Sequence, residues 1–255
     1  MRVKNNKVAL VTGGTGGLGT AICEQLYKDG YTVVANYREF TKAMKWREEA
    51  KKWRESELKM GIDVHIVEGD VSNYKSCSEM IKQINEDVGP VDVLVNNAGI
   101  TRDSQLSKMT PEQWIDVINT NLNSVFTCSR LVIESMIAKQ WGRIICISSV
   151  NGQKGQFGQT NYSAAKSAMY GFAKSLAMEV AKKGITVNCI SPGYIDTAMT
   201  LAIKQEIRDK IVAQIPMGRF GHPNEIAKLV SYLASDDASY MTGANVAING
   251  GLHMY

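Results

Sequence analysis

Tyr162 and Lys166 lie four residues apart in Tyr162-Ser163-Ala164-Ala165-Lys166, a run of helix formers. That spacing puts a phenol and an ammonium on one helix face, one turn apart. Upstream, Ile144 to Ile147 is an apolar, β-branched run that reads as a buried strand, with Ser148 and Ser149 at its end. A polar, glycine-rich loop then runs from Ser148 to Thr160. A hydroxyl, a phenol and an ammonium would meet at the mouth of a sheet, a proton-transfer set that needs a hydride donor beside it. Composition does not choose between Ser148 and Ser149. Each residue also has an ordinary use, since a tyrosine at a helix start packs and a mid-helix lysine is solvated.

A partner for that set is legible near the start of the chain. Lys7 to Val11 is a β-type run, followed at once by Thr12-Gly13-Gly14-Thr15-Gly16-Gly17-Leu18-Gly19 and a helical pattern to Lys28. Strand, glycine turn and helix make the context of a dinucleotide site: glycines let the backbone approach a pyrophosphate, and the helix amino end favours its charge. Two templates fit. Gly14, Gly16 and Gly19 match G-x-G-x-x-G, while Gly13, Gly17 and Gly19 match G-x-x-x-G-x-G. The second strand, Thr32 to Asn36, leads into Tyr37-Arg38 with no acid before Glu39. A carboxylate there binds a ribose 2′-hydroxyl, whereas an arginine binds a 2′-phosphate. Arg38 therefore predicts NADPH over NADH, and a one-residue shift to Glu39 would reverse the choice.

Other elements must hold these two ends together. Strands are predicted at Val64 to Val67, Val91 to Val95, Thr186 to Ile190 and Val246 to Ile248. Ser72 is the expected cap of the helix carrying Met80, Ile81 and Ile84. Thr110-Pro111 opens another helical pattern, which runs to about Lys139. The helix through Lys166 continues to about Lys183, where Gly184 ends it. Ile203, Ile207 and Ile211 suggest a further amphipathic helix, and Pro223 to Ala234 the last. Between Glu39 and Met60, Ala43, Trp46, Ala50 and Trp53 recur at helical steps in a charged segment. This is read as a helix burying both tryptophans, the other reading being a partner-binding stripe. Seven strands alternating with helices predict an α/β fold with a doubly wound parallel sheet. Ligands then belong at the carboxyl ends of the strands.

The bulk numbers exclude other classes. With 255 residues and no linker, repeat or low-complexity tract, the chain is expected to form one domain. A formal charge of +4 without an aromatic-interleaved basic patch predicts no nucleic-acid partner. Apolar runs are far short of a membrane span or a signal peptide. The five cysteines, Cys23, Cys77, Cys128, Cys146 and Cys189, are odd in number and sit mostly in apolar segments, as expected of reduced thiols in a cytoplasmic protein. His65, His222 and His253 lack ligand spacing, so no metal is expected.

The glycine loop, Asn96-Asn97-Ala98-Gly99, the Ser149, Tyr162 and Lys166 set, and Pro192-Gly193-Tyr194-Ile195-Asp196-Thr197 occur in that order. On these motifs the chain resembles the short-chain dehydrogenase/reductase family from Lys7 to its end. Ser149 lies 13 residues before Tyr162, which is the family's spacing and selects it over Ser148. Asn121 matches the fourth catalytic position. The resemblance implies a Rossmann-type fold with a dinucleotide-binding part over about 1–140 and a catalytic and substrate-binding part over about 141–255. It implies cofactor contacts from Gly13, Gly17, Leu18, Gly19 and Arg38, from Asp70 and Val71 at the adenine, and from Asn97, Ala98 and Gly99. Tyr162 and Lys166 meet the ribose, and Pro192, Gly193 and Ile195 bound the nicotinamide. It places Asp103, Gln156, Phe157, Gln159 and Tyr194 against the substrate, together with Ser149 and Tyr162. A flap over Thr197 to Pro216 would cover it.

Within the family, the loop before Tyr162 and the ending Asn249-Gly250-Gly251-Leu252-His253-Met254 are similar to NADPH-dependent acetoacetyl-CoA reductases of polyhydroxyalkanoate synthesis. The 3-oxoacyl-[acyl-carrier-protein] reductases are the next resemblance. A homotetramer is implied, in keeping with apolar stripes around Val125 to Ile137 and Ala164 to Leu176. A non-catalytic nucleotide sensor is the reading of another class.

Overall fold

The computed structural model describes residues 7–38, 44–197, 200 and 204–254, and of 44–50 the backbone alone. Seven strands form one parallel sheet: β1 (Val8–Val11), β2 (Thr32–Tyr37), β3 (His65–Glu68), β4 (Val91–Asn96), β5 (Gly142–Ile147), β6 (Ile185–Pro192) and β7 (Asn245–Ile248). Their order is β3-β2-β1-β4-β5-β6-β7. The chain thus winds outward from β1 in one direction and from β4 in the other, and the crevice beyond the carboxyl ends opens at that switch.

Every residue of β1, β4, β5 and β6 is buried, as parallel strands covered on both faces must be. Alternation divides them between two cores. Val8, Leu10 and Leu94 join the core beneath α3 (Tyr74–Asp87), α5 (Ser124–Lys139) and α7 (Thr160–Val180). Ala9, Val11 and Val95 join the opposite one, with Ile22 and Leu26 of α1 (Leu18–Lys28). Five further helices are described: α2 (Met44–Lys59), α4 (Pro111–Ile118), α6 (Val150–Lys154), α8 (Gln205–Val212) and α9 (Pro223–Ala234).

Several local expectations change. Asn73, not Ser72, caps α3, accepting from the Ser76 amide at 3.0 Å. Ser72 instead donates to the Asp70 carboxylate at 2.7 Å. The pattern from Pro111 to Lys139 is broken by a π-helical turn at Asn119–Asn123 that contains Asn121. The loop before Tyr162 holds the short helix α6, capped by Ser149. α8 forms, yet none of its residues is buried, and Ile207 is exposed. Trp53 packs against the α1-side core, while Glu39, Ile203 and the Trp46 side chain lie outside the described residues.

Candidate active site

The carboxyl ends of β1, β4, β5 and β6 enclose a cavity of about 590 Å³. Gly13, Gly16, Gly17 and Leu18 line it from the first turn, and Asn97, Ala98 and Gly99 from the end of β4. Ser149 and Asn151 follow β5, Tyr162 and Lys166 come from α7, Pro192 ends β6, and Gly193, Tyr194 and Ile195 follow it.

The first turn distinguishes the two glycine templates. Gly13 and Gly17 have φ of 62° and 52°, the left-handed region that glycine alone enters freely. A Cβ on Gly19 would lie 2.2 Å from the Gly13 carbonyl oxygen. These three are the glycines of G-x-x-x-G-x-G. At Gly16 a Cβ would meet nothing within 4 Å, so the other template's central glycine is not demanded by packing.

Side chains of Asn36, Thr12 and Asn97 hold the turn. Asn36 accepts from the Gly13 amide at 3.2 Å and donates to the Gly69 carbonyl at 2.9 Å. The Thr12 hydroxyl accepts from the amides of Asn97 and Ala98, each at 3.0 Å. Asn97 donates back to the Thr12 carbonyl at 2.9 Å.

This first turn fits a nicotinamide dinucleotide. The amino end of α1 has no side-chain cap, so its N–H groups are not consumed by the protein's own side chains there. A Cβ on Gly16 or Gly17, both on the cavity wall, would occupy open space, which is the room a pyrophosphate requires. Farther out, Arg38 stands 4.0 Å from the Asp70 carboxylate, which also accepts from the Ser72 amide and hydroxyl. Val71 is buried. Arg38, Asp70 and Val71 lie beyond the cavity wall itself.

The proton-transfer set converges. Lys166 is buried and donates to the Ile147 carbonyl at 2.7 Å, with its Nζ 5.6 Å from the centre of the Tyr162 ring. Burial lowers its pKa to about 8. Burial raises the Tyr162 pKa, against a lowering hydrogen bond from the Ser149 hydroxyl. Ser148 also lines the cavity, but it is buried and its hydroxyl donates to the Lys166 carbonyl at 2.8 Å. Asn121 is fully buried, and its amide donates to the Ile100 carbonyl at 2.9 Å and accepts from the Ile100 amide at 2.8 Å. A Cβ on Gly99 would sit in ordinary contact with the Asn121 Oδ1, at 3.4 Å, and Lys166 Nζ, at 3.5 Å, so Gly99 packs directly beside both.

The five predicted substrate contacts divide. Gln159 and Tyr194 line the cavity. Gln159 donates to Asp103 at 2.9 Å and accepts from Asn151 at 3.0 Å, so Asp103 holds Gln159 from outside the wall. Tyr194 stacks on Phe220 with ring centres 5.5 Å apart, and burial raises its pKa. Gln156 and Phe157 are not on the wall: Gln156 accepts from Lys154 at 3.3 Å, and Phe157 is 81% exposed. Thr197 and Thr200 reach the cavity from the predicted flap, of which 198–199 and 201–203 lie outside the described residues.

Asn161, beside Tyr162, was not singled out by sequence. It is fully buried, donates to the carbonyls of Arg102 and Gln113 at 3.1 Å each, and accepts from the Tyr162 amide at 2.8 Å. Its place in the first turn of a helix was the only available signal. Among the described residues no cluster of metal-ligating side chains occurs.

A family model described as enoyl-(acyl carrier protein) reductase matches residues 13–253. The chain is 52% identical over 249 residues to an acetoacetyl-CoA reductase of Allochromatium vinosum, covering 98% of this chain and 99% of that one. It is 53% identical over 249 residues to nodulation protein G of Azospirillum brasilense, with the same coverage. A 3-oxoacyl-[acyl-carrier-protein] reductase FabG of Pseudomonas aeruginosa is 44% identical over 248 residues, covering 97% and 98%.

Proposed function

The chain belongs to the short-chain dehydrogenase/reductase family, and from that premise we propose that it reduces acetoacetyl-CoA to (R)-3-hydroxybutanoyl-CoA with NADPH. The observation that carries this reading is the convergence of Ser149, Tyr162 and Lys166 on one cavity with the glycine turn. Relatives named for acetoacetyl-CoA reduction at 52% identity, against 44% for the carrier-protein reductase, favour the CoA thioester.

When bound, NADPH supplies a hydride. Gly13, Gly17, Leu18 and Gly19 hold its pyrophosphate, Asp70 and Val71 its adenine, and Arg38 its 2′-phosphate. Asn97, Ala98, Gly99, Pro192, Gly193 and Ile195 enclose the remainder. The Ser149 hydroxyl donates a hydrogen bond to the 3-carbonyl oxygen and stabilises charge developing there. Tyr162 passes its phenol proton to the same oxygen as general acid. Burial keeps that phenol protonated, which is the state a reduction begins from. The Lys166 ammonium favours the tyrosinate left behind and donates to the ribose. Asn121, its amide spent on Ile100, fixes the wall behind Lys166 and leaves its main chain to hold the water that links Lys166 to solvent. Gln159 and Tyr194 bound the acyl group, with Asp103 acting through Gln159; Gln156 and Phe157 are assigned to the thioester arm outside.

The same reading extends to the assembly and its setting. Trp114, Ile115, Phe126 and Met178 are exposed on α4, α5 and α7, which supports a homotetramer closed over these helices. No described helix is long and apolar enough to cross a membrane. We place the enzyme in the cytoplasm, supplying polyhydroxybutyrate synthesis.

The experiment is a steady-state panel of acetoacetyl-CoA, an acetoacetyl carrier protein and crotonyl-CoA, each with NADPH and NADH. Highest kcat/KM for acetoacetyl-CoA with NADPH is expected. A strong preference for the carrier protein would transfer the chain to fatty-acid synthesis. Reduction of crotonyl-CoA alone would replace the carbonyl by a carbon–carbon double bond, and no turnover with tight cofactor binding would leave a sensor.

A further inference from the structure

The hydrogen bonds beneath the site converge on one side chain to which the reaction above gives no part. Tyr170 follows Lys166 by four residues and Tyr162 by eight, so all three share one face of α7. Its phenol oxygen lies 3.1 Å from the Ser149 carbonyl, 3.0 Å from the Ser148 hydroxyl and 3.0 Å from the Ser191 hydroxyl. Ser148 donates in turn to the Lys166 carbonyl at 2.8 Å, and Ser191 to the Asn245 amide oxygen at 2.7 Å. One oxygen therefore joins the ends of β5 and β6 to the middle of α7.

Proton accounting gives the contact its direction. A carbonyl oxygen only accepts, and it has two lone pairs. At Ser149 one is taken by the Gly152 amide at 2.9 Å and the other by the Tyr170 hydroxyl. The single proton of Tyr170 thus serves the Ser149 backbone, while the Ser148 and Ser191 protons are each shared between the Tyr170 oxygen and a second acceptor, the Lys166 carbonyl and the Asn245 amide oxygen. Ser149 itself is extended, with φ −166° and ψ 153°, and caps α6 by accepting from the Asn151 amide at 3.1 Å. Its main chain is gripped from below by Tyr170 while its hydroxyl bonds to Tyr162.

We propose that Tyr170 is a positioning residue for carbonyl reduction: its phenol fixes the Ser149 main chain against α7 and so keeps the Ser149 hydroxyl in reach of Tyr162 and the substrate oxygen. The inference rests on the function proposed above. Tyr170 is not among the residues lining the cavity, so it acts through Ser149.

Tyr170→Phe removes one oxygen and keeps the ring. It should lower kcat about tenfold, the scale of a small misplacement, while KM for acetoacetyl-CoA and the Kd for NADPH stay within about twofold. Ser191→Ala, which removes a neighbour of the same oxygen, should shift kcat in the same direction by less. A second readout uses the protein without cofactor: Tyr162 is titrated by ultraviolet difference between Tyr170→Phe and the Tyr162→Phe/Tyr170→Phe double variant. With Ser149 released, the Tyr162 pKa should rise by about half a unit from its wild-type value. Unchanged kcat with an unshifted titration would overturn the proposal. So would a fall in kcat matched by an equal loss of cofactor affinity, which marks general disruption. If the wild-type enzyme does not turn over acetoacetyl-CoA, the functional reading fails, and the titration alone then decides Tyr170: a rise supports the positioning role and no rise refutes it.

Discussion

Burial acts on Tyr162 and Lys166 and favours the neutral form of each. It raises the Tyr162 phenol and lowers the Lys166 ammonium to about 8. At Tyr162 the cost of desolvating a tyrosinate outweighs the hydrogen bond from Ser149 that lowers the pKa. For Lys166 the consequence is a stability that depends on pH. Its folded pKa of about 8 lies below the ordinary 10.5, so between those values the unfolded chain binds more protons and stability rises with pH. Lys166→Met should therefore stabilise the protein at pH 7 by up to roughly 3 kcal/mol, less what is lost with the hydrogen bond to Ile147. That advantage should shrink in urea unfolding as the pH is raised toward 10. An advantage that grows with pH would show that Lys166 is not charged at a cost in the native state. Tyr162 and Lys166 were legible because spacing along a helix is spacing in space, whereas Ser149 and Asn121 were picked out by the family resemblance. Asn161 and Tyr170 were not, because their partners lie tens of residues away in sequence, as Asn161 and Arg102 do.

At the scale of elements, the glycine turn makes the most specific prediction. Gly19→Ala puts a methyl 2.2 Å from the Gly13 oxygen and should cost on the order of 3 kcal/mol in thermal unfolding. Gly16→Ala meets nothing within 4 Å and should leave stability within about 0.5 kcal/mol, while the methyl intrudes on the cradle and weakens NADPH binding in calorimetry. Equal effects of the two on stability would contradict the packing. The sequence carried both templates, which share Gly19, and the left-handed φ of Gly13 and Gly17 separates them. Arg38, next to the end of β2, allows a second test: Arg38→Asp should lower NADPH affinity at least about tenfold and spare NADH, as loss of a charge-assisted contact does. The lip before Tyr162 was the least legible element. A glycine-rich loop was expected, but Ser149 caps a short helix there, which turns Phe157 outward and leaves Gln159 on the wall.

For the whole molecule, the sheet was readable because parallel strands buried on both faces appear as unbroken apolar runs, and Gly184 and Pro223 punctuate the helices between them. The order β3-β2-β1-β4-β5-β6-β7 was not readable, because apolar runs along the chain do not say which strands are neighbours. α8 forms where Ile207 and Ile211 recur at helical spacing, yet it lies on the surface and buries neither. The exposed apolar side chains of α4, α5 and α7 belong to the same scale. Light scattering should give a tetramer, and Phe126→Lys should shift it toward smaller species. The central claim, that Ser149, Tyr162 and Lys166 reduce a thioester-borne ketone with NADPH, is tested most directly by one comparison. NADPH oxidation with acetoacetyl-CoA is followed in the wild type and in Tyr162→Phe at saturating cofactor. A loss in kcat of about a thousandfold with NADPH binding retained is the expected result; a variant as fast as the wild type would contradict it.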